Sequence, residues 1–203
     1  MRDETSPHLM KGTAMRSFRW LVLVSVIALA AGCRSQQQQQ TAAPEGPVLF
    51  GPIRDVMHMI IEPSAQVIFD SVAVSVTAAG TLEREPRTEE EWDTVLHAAM
   101  TLAEATNLVA MPGRRVSRPE DESTSAVESE LPPIQIQAKI DANRALWLKH
   151  VKQLQEVAMK AYEAASQKSV QGLWDVGEPI DQACESCHLE FWYPNEKRPG
   201  PPQ

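Results

Sequence analysis

Apolar residues recur every three or four positions along four stretches of the chain, and polar, proline-containing segments separate those stretches. This spacing marks helices that bury one face. In the first stretch Ile53, Met57, Ile60, Ile61, Ile68, Val72 and Val76 share a face, and Gly80 is the expected stop. Pro63 interrupts it, so a kink or a fresh helix start is expected there. The second stretch opens on Thr88-Glu89-Glu90-Glu91, which reads as a capping box. Trp92, Val95, Ala99, Leu102 and Val109 follow on one face, and Met111-Pro112-Gly113 ends the helix. The third runs from about Ile134 to Gln167, with Ile136, Ile140, Asn143, Trp147, Val151 and Leu154 facing inward. Ser169 is the N-cap of the fourth, in which Leu173, Ile180, Cys184, Cys187, His188 and Phe191 share a face. Pro179 predicts a kink one turn before the cysteines.

No stretch reads as a strand. The expectation is an all-α fold, an antiparallel four-helix bundle over residues 52–194. The polar insert 112–133, with Arg114, Arg115, Arg118, Glu120, Asp121 and Glu122, is expected to be flexible. A Pro-rich tail, 195–203, follows.

The N-terminal part reads differently. Arg16 and Arg19 precede an apolar run from Trp20 to Ala31, too short to span a bilayer comfortably and suited to a signal-peptide core. The run ends Leu29-Ala30-Ala31-Gly32-Cys33, so residues 1–32 resemble a bacterial lipoprotein signal and Cys33 is the expected lipidation site. Ala30 departs from that pattern, which usually has leucine there; ordinary cleavage after Ala28-Leu29-Ala30 is the alternative. Residues 33–51, with five glutamines in a row, form a low-complexity tether. The expected location is the periplasmic side of a bacterial membrane, lipid-anchored, or soluble in the periplasm if Cys33 is not lipidated.

The net charge of −8 argues against nucleic acid as a partner. Removing 1–32 takes away Arg2, Lys11, Arg16, Arg19, Asp3 and Glu4 and leaves 15 Lys and Arg against 25 Asp and Glu. Such a surface steers toward a basic patch on a partner.

Residues 184–188 read Cys-Glu-Ser-Cys-His, the attachment signature of c-type haem. Two thiols one helical turn apart can each add to a vinyl group of one porphyrin edge, and the adjacent histidine can ligate the iron. A zinc site needs four ligands, usually from two pairs, and no second cysteine pair exists. With Cys33 at the signal end, no thiol remains for a disulfide framework. No nucleophile–base pairing suggests an enzyme.

A Cys-x-x-Cys-His motif near the C-terminus, at the end of a helical chain, resembles the cytochrome c′ / c556 family over roughly residues 52–192. The resemblance implies a four-helix bundle with one covalent haem on the last helix, held by Cys184 and Cys187 with His188 as proximal iron ligand. It implies a distal residue from the first helix, which offers Met57, His58 and Met59. Met57 and Met59 point roughly 200° apart on a helix, and Met57 lies on the apolar side, so it is the expected sixth ligand with Met59 second. His58 shares its face with Glu62 and reads as a surface histidine. His–Met ligation suits periplasmic one-electron transfer to a redox partner; an open sixth position would instead suit a five-coordinate protein that binds nitric oxide or carbon monoxide. A homodimer is compatible with either.

Overall fold

Thr88 caps its helix as the sequence predicts. Its hydroxyl accepts from the Glu91 N–H at 3.2 Å, while the Glu91 carboxylate accepts from the Arg87 and Thr88 N–H groups at 2.7 and 2.9 Å. Those backbone bonds, Arg87 first, hold the Glu91 carboxyl below its usual range. The computed structural model describes residues 46–121, 129–194 and 196, nearly all within the unit Val48–Gln203. The expected signal peptide, Cys33, most of the tether, residues 122–128 of the insert and most of the tail lie outside the described residues.

The fold is mostly helical with one small sheet. In chain order come α1 (Ile53–Val56), a π-helical turn (Met57–Ile61), α2 (Glu62–Ser71), β1 (Ala73–Thr77), β2 (Gly80–Arg84) and α3 (Glu89–Ala110). A 3₁₀ turn (Pro119–Asp121), α4 (Pro133–Ala142), α5 (Arg144–Ser166) and α6 (Val170–Phe191) follow. Helix α3 packs along α5 and α5 along α6, while α2 touches both α3 and α6. Leu102, Ile140, Trp147, Ile180 and Phe191, all fully buried, fill the centre. Among the described residues, no helix is long and apolar enough to cross a membrane.

Two expectations need correction. The first helix does not reach Gly80. It ends at Ser71, and residues 73–84 form an antiparallel hairpin with Ala73 opposite Arg84 and Thr77 opposite Gly80. Val72, Val74 and Val76 are β-branched and fit an extended backbone better than a helix. Gly80, at φ +129°, takes a left-handed position open to glycine and opens β2 instead of stopping a helix.

The third helix is two helices. Asn143 leaves the helical region (φ −137°, ψ 58°), and its side chain accepts from the Leu146 N–H at 3.3 Å to start α5. Within the insert, the described residues 112–121 include buried side chains. Val116 is buried, and the carbonyls of Arg115 and Val116 accept from the Ile53 and Arg54 N–H groups at 2.8 and 3.1 Å. They satisfy free donors at the start of α1. Arg114 is buried as well, donating to the carbonyls of Gly51 and Leu108 and to the Met111 sulfur. Helix α6 continues through Pro179. Its N-cap is as expected, the Ser169 hydroxyl accepting from the Gly172 N–H at 3.0 Å.

Pro63 acts through the turn before it. Proline has no N–H to give and its ring crowds the carbonyl four residues back, that of Met59. The chain widens to π geometry over Met57–Ile61, where the Glu62 N–H reaches the Met57 carbonyl, and Pro63 then sits in the first turn of α2. Such single π turns recur at functional sites.

Candidate cofactor site

The last turns of α6 carry Cys184, Cys187 and His188 at positions i, i+3 and i+4, which share one face of a helix. That face opens on a cavity of about 440 Å³ whose lining is mostly apolar. Cofactor pockets run roughly 300–1,000 Å³. All three motif side chains line it, together with Met57 and His58 of the π turn and Ala65 and Phe69 of α2. Val109, Trp147 and Leu154 supply further apolar wall. Glu62, Asp181 and Glu185 bring carboxylates to the same cavity.

The two candidate methionines are placed differently. Met57 is part-buried on the cavity wall, while Met59 is 74% exposed. His58, as its neighbour Glu62 suggests, is solvent-facing: its Nδ1 lies 3.1 Å from the Glu62 carboxylate and its side chain is 67% exposed. It nevertheless reaches the cavity mouth.

Both thiols are free. Burial pushes the Cys184 thiol up to about 11, helped by the charges of Asp181 and Glu185. Burial pushes Cys187 up to about 12, with Cys184 and Glu190 adding to it. Thiols held protonated in this way are poor nucleophiles for disulfide exchange. Among the described residues no group of three or more His, Cys, Asp or Glu is arranged to hold a metal ion.

Burial also lowers the pKa of His188, against the opposing pull of Glu185 and Glu130. The neutral imidazole, the metal-binding form, is thereby favoured. The ring is flanked by Trp192 and Tyr193, each with its ring centroid 5.7 Å away. Both of those residues donate backbone N–H bonds to the His188 carbonyl, at 2.8 and 3.0 Å. Tyr193 also donates its hydroxyl to Glu185 at 3.3 Å, closing a bracket around the motif. Behind the motif, Trp147 packs edge-on to Phe191 at 5.4 Å and stacked with Trp192 at 6.0 Å.

His150 also lines the cavity. It lies 3.4 Å from the Ser186 hydroxyl, inside the motif, and desolvation lowers its pKa. The helical phase of α5 does hint at it, because His150 stands one position before the buried Val151. Trp92, Trp147 and Trp192 are buried, whereas Trp174 is 44% exposed.

A scan against protein-family models, a search of curated proteins and a search of solved structures each found no match.

Proposed function

We propose that this chain is a c-type cytochrome that carries one covalent haem and transfers single electrons in the periplasm. The observation that carries the reading is that one mostly apolar cavity is lined by both thiols of a Cys-x-x-Cys-His motif, by its histidine and by a methionine of the π turn. In this reading the helices Ile53–Ser71, Glu89–Ala110, Arg144–Ser166 and Val170–Phe191 form an antiparallel four-helix bundle. The closed ring of contacts among them supports that, since each has two of the others as neighbours. The donor set fits a haem: two uncommitted thiols, a neutral imidazole favoured by burial, a soft thioether, and an apolar surround of suitable volume.

Bound haem supplies a reversible one-electron couple at iron. The protein's tasks are attachment, ligation and shielding. Cys184 and Cys187 would hold the haem, each by addition of its S–H to one vinyl group, in which one S–C and one C–H bond would form with no net change of oxidation state. His188 offers its imidazole from a backbone pinned by Trp192 and Tyr193. Met57 offers a neutral sulfur, which favours the reduced state and raises the potential. Ala65, Phe69, Val109 and Leu154 keep water from the cavity. Glu62, Asp181 and Glu185 give the cavity an acidic rim, suited to a redox partner with a basic docking patch.

The test is direct. Chain made in a host competent for c-type maturation should keep its colour through denaturing electrophoresis with haem staining, and its mass should exceed the polypeptide by one haem. A colourless polypeptide overturns the reading.

We further propose that Cys33 is lipidated and the domain anchored on the periplasmic side. Wild-type protein should sediment with membranes, and Cys33→Ser should move it to the soluble fraction. Wild-type protein that is soluble after cell disruption would point to ordinary cleavage at Ala28-Leu29-Ala30.

A further inference from the structure

We propose that the outer edge of β1 pairs with the same strand of a second copy of this chain, so that two hairpins join into one four-stranded antiparallel sheet. The hairpin stands off the helical core: of all its strand residues only Ala73 is even half-buried. A two-stranded hairpin alone in water is marginal, and further strands or a helix packed on an apolar face are what stabilise one. Its exposed side chains include Val74, Val76 and Leu82.

The register decides which backbone groups point outward. Thr77 lies opposite Gly80, with only Ala78 and Ala79 between them, so this closing pair exchanges its hydrogen bonds within the hairpin. Bonded and unbonded pairs alternate along an antiparallel ladder. Ala73 and Ser75 therefore bond to β2, and the N–H and C=O groups of Val74 and Val76 point away from it. No other part of the described chain bonds them. Natural sheets blunt such edges with charge, proline or a bulge. Strand β2 has Glu83 and Arg84, whereas β1, Ala-Val-Ser-Val-Thr in unbroken register, has none of these.

The occupant follows from the pattern and the charge. Val74-Ser75-Val76 reads the same in both directions. A two-fold axis at Ser75 sets Val74 against Val76 of the second copy, and Val76 against its Val74. The outward groups of the two strands meet in both pairs, so four N–H···O=C bonds form across the axis. The four valines share one face of the sheet, as β-branched neighbours that favour each other across strands. The chain carries a net charge of −8, so two copies repel over most approaches. From Ser71 to Leu82 no residue is charged, and Asp70 and Glu83 bound that stretch. Here two copies can meet without carboxylates in the contact. The contact is short, below the roughly 1,200 Å² of a standard interface, so the dimer is weak and concentration-dependent. Pairing uses no residue of the cavity, so it stands or falls apart from the haem reading.

The test uses the mature chain carrying Cys33→Ser, exported behind an ordinary cleavable signal, so that neither a lipid nor an N-terminal thiol contributes. Sedimentation velocity from about 10 µM to about 1 mM should show a reversible monomer–dimer equilibrium. Val76→Lys, at a side chain 80% exposed in the single chain, should weaken it by roughly tenfold or more, because it puts a charge into an edge that has none. Met159→Lys, on an exposed side chain of α5, should change nothing. Under mild oxidation Ser75→Cys should form a disulfide between copies well above the background of its parent, because the axis brings the two Cα atoms to about 4.5 Å. Val76→Cys should not, since its two copies stand diagonally offset by about 7–8 Å. A chain that stays monomeric over the whole range overturns the proposal and leaves the edge to a strand of another protein. So does a dimer that survives Val76→Lys, or one that crosslinks as readily through Val76→Cys as through Ser75→Cys.

Discussion

Met57→Ala is expected to convert ferric iron from low to high spin and to open the reduced protein to rapid carbon monoxide binding, while Met59→Ala leaves the spectrum unchanged. The proposed ligation rests on placement. Met57 lines the same cavity as the motif, and Met59, two residues on, is 74% exposed. Alanine has no donor atom, so a ligand lost at Met57 cannot be replaced by the variant side chain itself. The weak long-wavelength sulfur-to-iron band should vanish and the midpoint potential should fall. His58 adds a discriminating outcome, because it also reaches the cavity. A variant that stays low spin without the sulfur band would mean that His58 has taken the position. A wild-type spectrum that is already high spin, unchanged in Met57→Ala, would sink methionine ligation and favour a five-coordinate, gas-binding protein. Loss of the band in Met59→Ala alone would move the ligand there.

Trp147→Ala is expected to cost about 3–5 kcal/mol of folding stability, the largest effect foreseen for any substitution outside the motif. The side chain is fully buried, packs against both Phe191 and Trp192, and gives its indole N–H to the Val109 carbonyl at 3.3 Å. Truncation would leave a large hole between α3, α5 and the end of α6. For a domain of this size the midpoint temperature should fall by about 6–20 °C. Urea unfolding reads the loss directly, and Trp147→Phe should recover a good part of it by refilling the space. A cost below about 1 kcal/mol would show that the site collapses without penalty, and that Trp147 does not support the motif helix as argued.

Much of the helical pattern could be read from the chain. The capping box at Thr88 and the cap at Ser169 follow from side-chain chemistry that is local to four residues, so tertiary structure had little chance to override them. The inward phase of Leu173, Ile180, Cys187 and Phe191 likewise matches their burial. The two errors in the helices share one cause, a spacing that fits two structures. Ile68, Val72 and Val76 are four apart, which is a helical repeat and also every second position of an alternation; only β-branching and Gly80 distinguished the hairpin. Across Asn143 the apolar spacing continues from Ile140 to Trp147 without a change of phase, so the break was invisible to periodicity. Its signal was the asparagine itself, a good cap and a poor interior residue. Val116 and Arg114 lie in a polar segment with no repeat, and their burial depends on partners some sixty positions away. Composition cannot report a contact of that kind. For the cavity, the motif and its helical phase indicated one wall; the π turn that presents Met57 could only be suspected from Pro63.

The bond between Arg114 and Gly51 joins residues 63 apart in the chain, whereas α5 and α6 are neighbours in sequence. The two walls of the cavity therefore differ in contact order. The wall with Cys184, Cys187 and His188 is assembled largely from a helical hairpin, and its loop closure is cheap. The wall with Met57 is tied to the rest by bonds that close a much longer loop, at a greater entropic cost. An order of assembly is thus written into the topology. The motif helix can be in place, with its thiols reachable from the open side, before the methionine wall shuts over them.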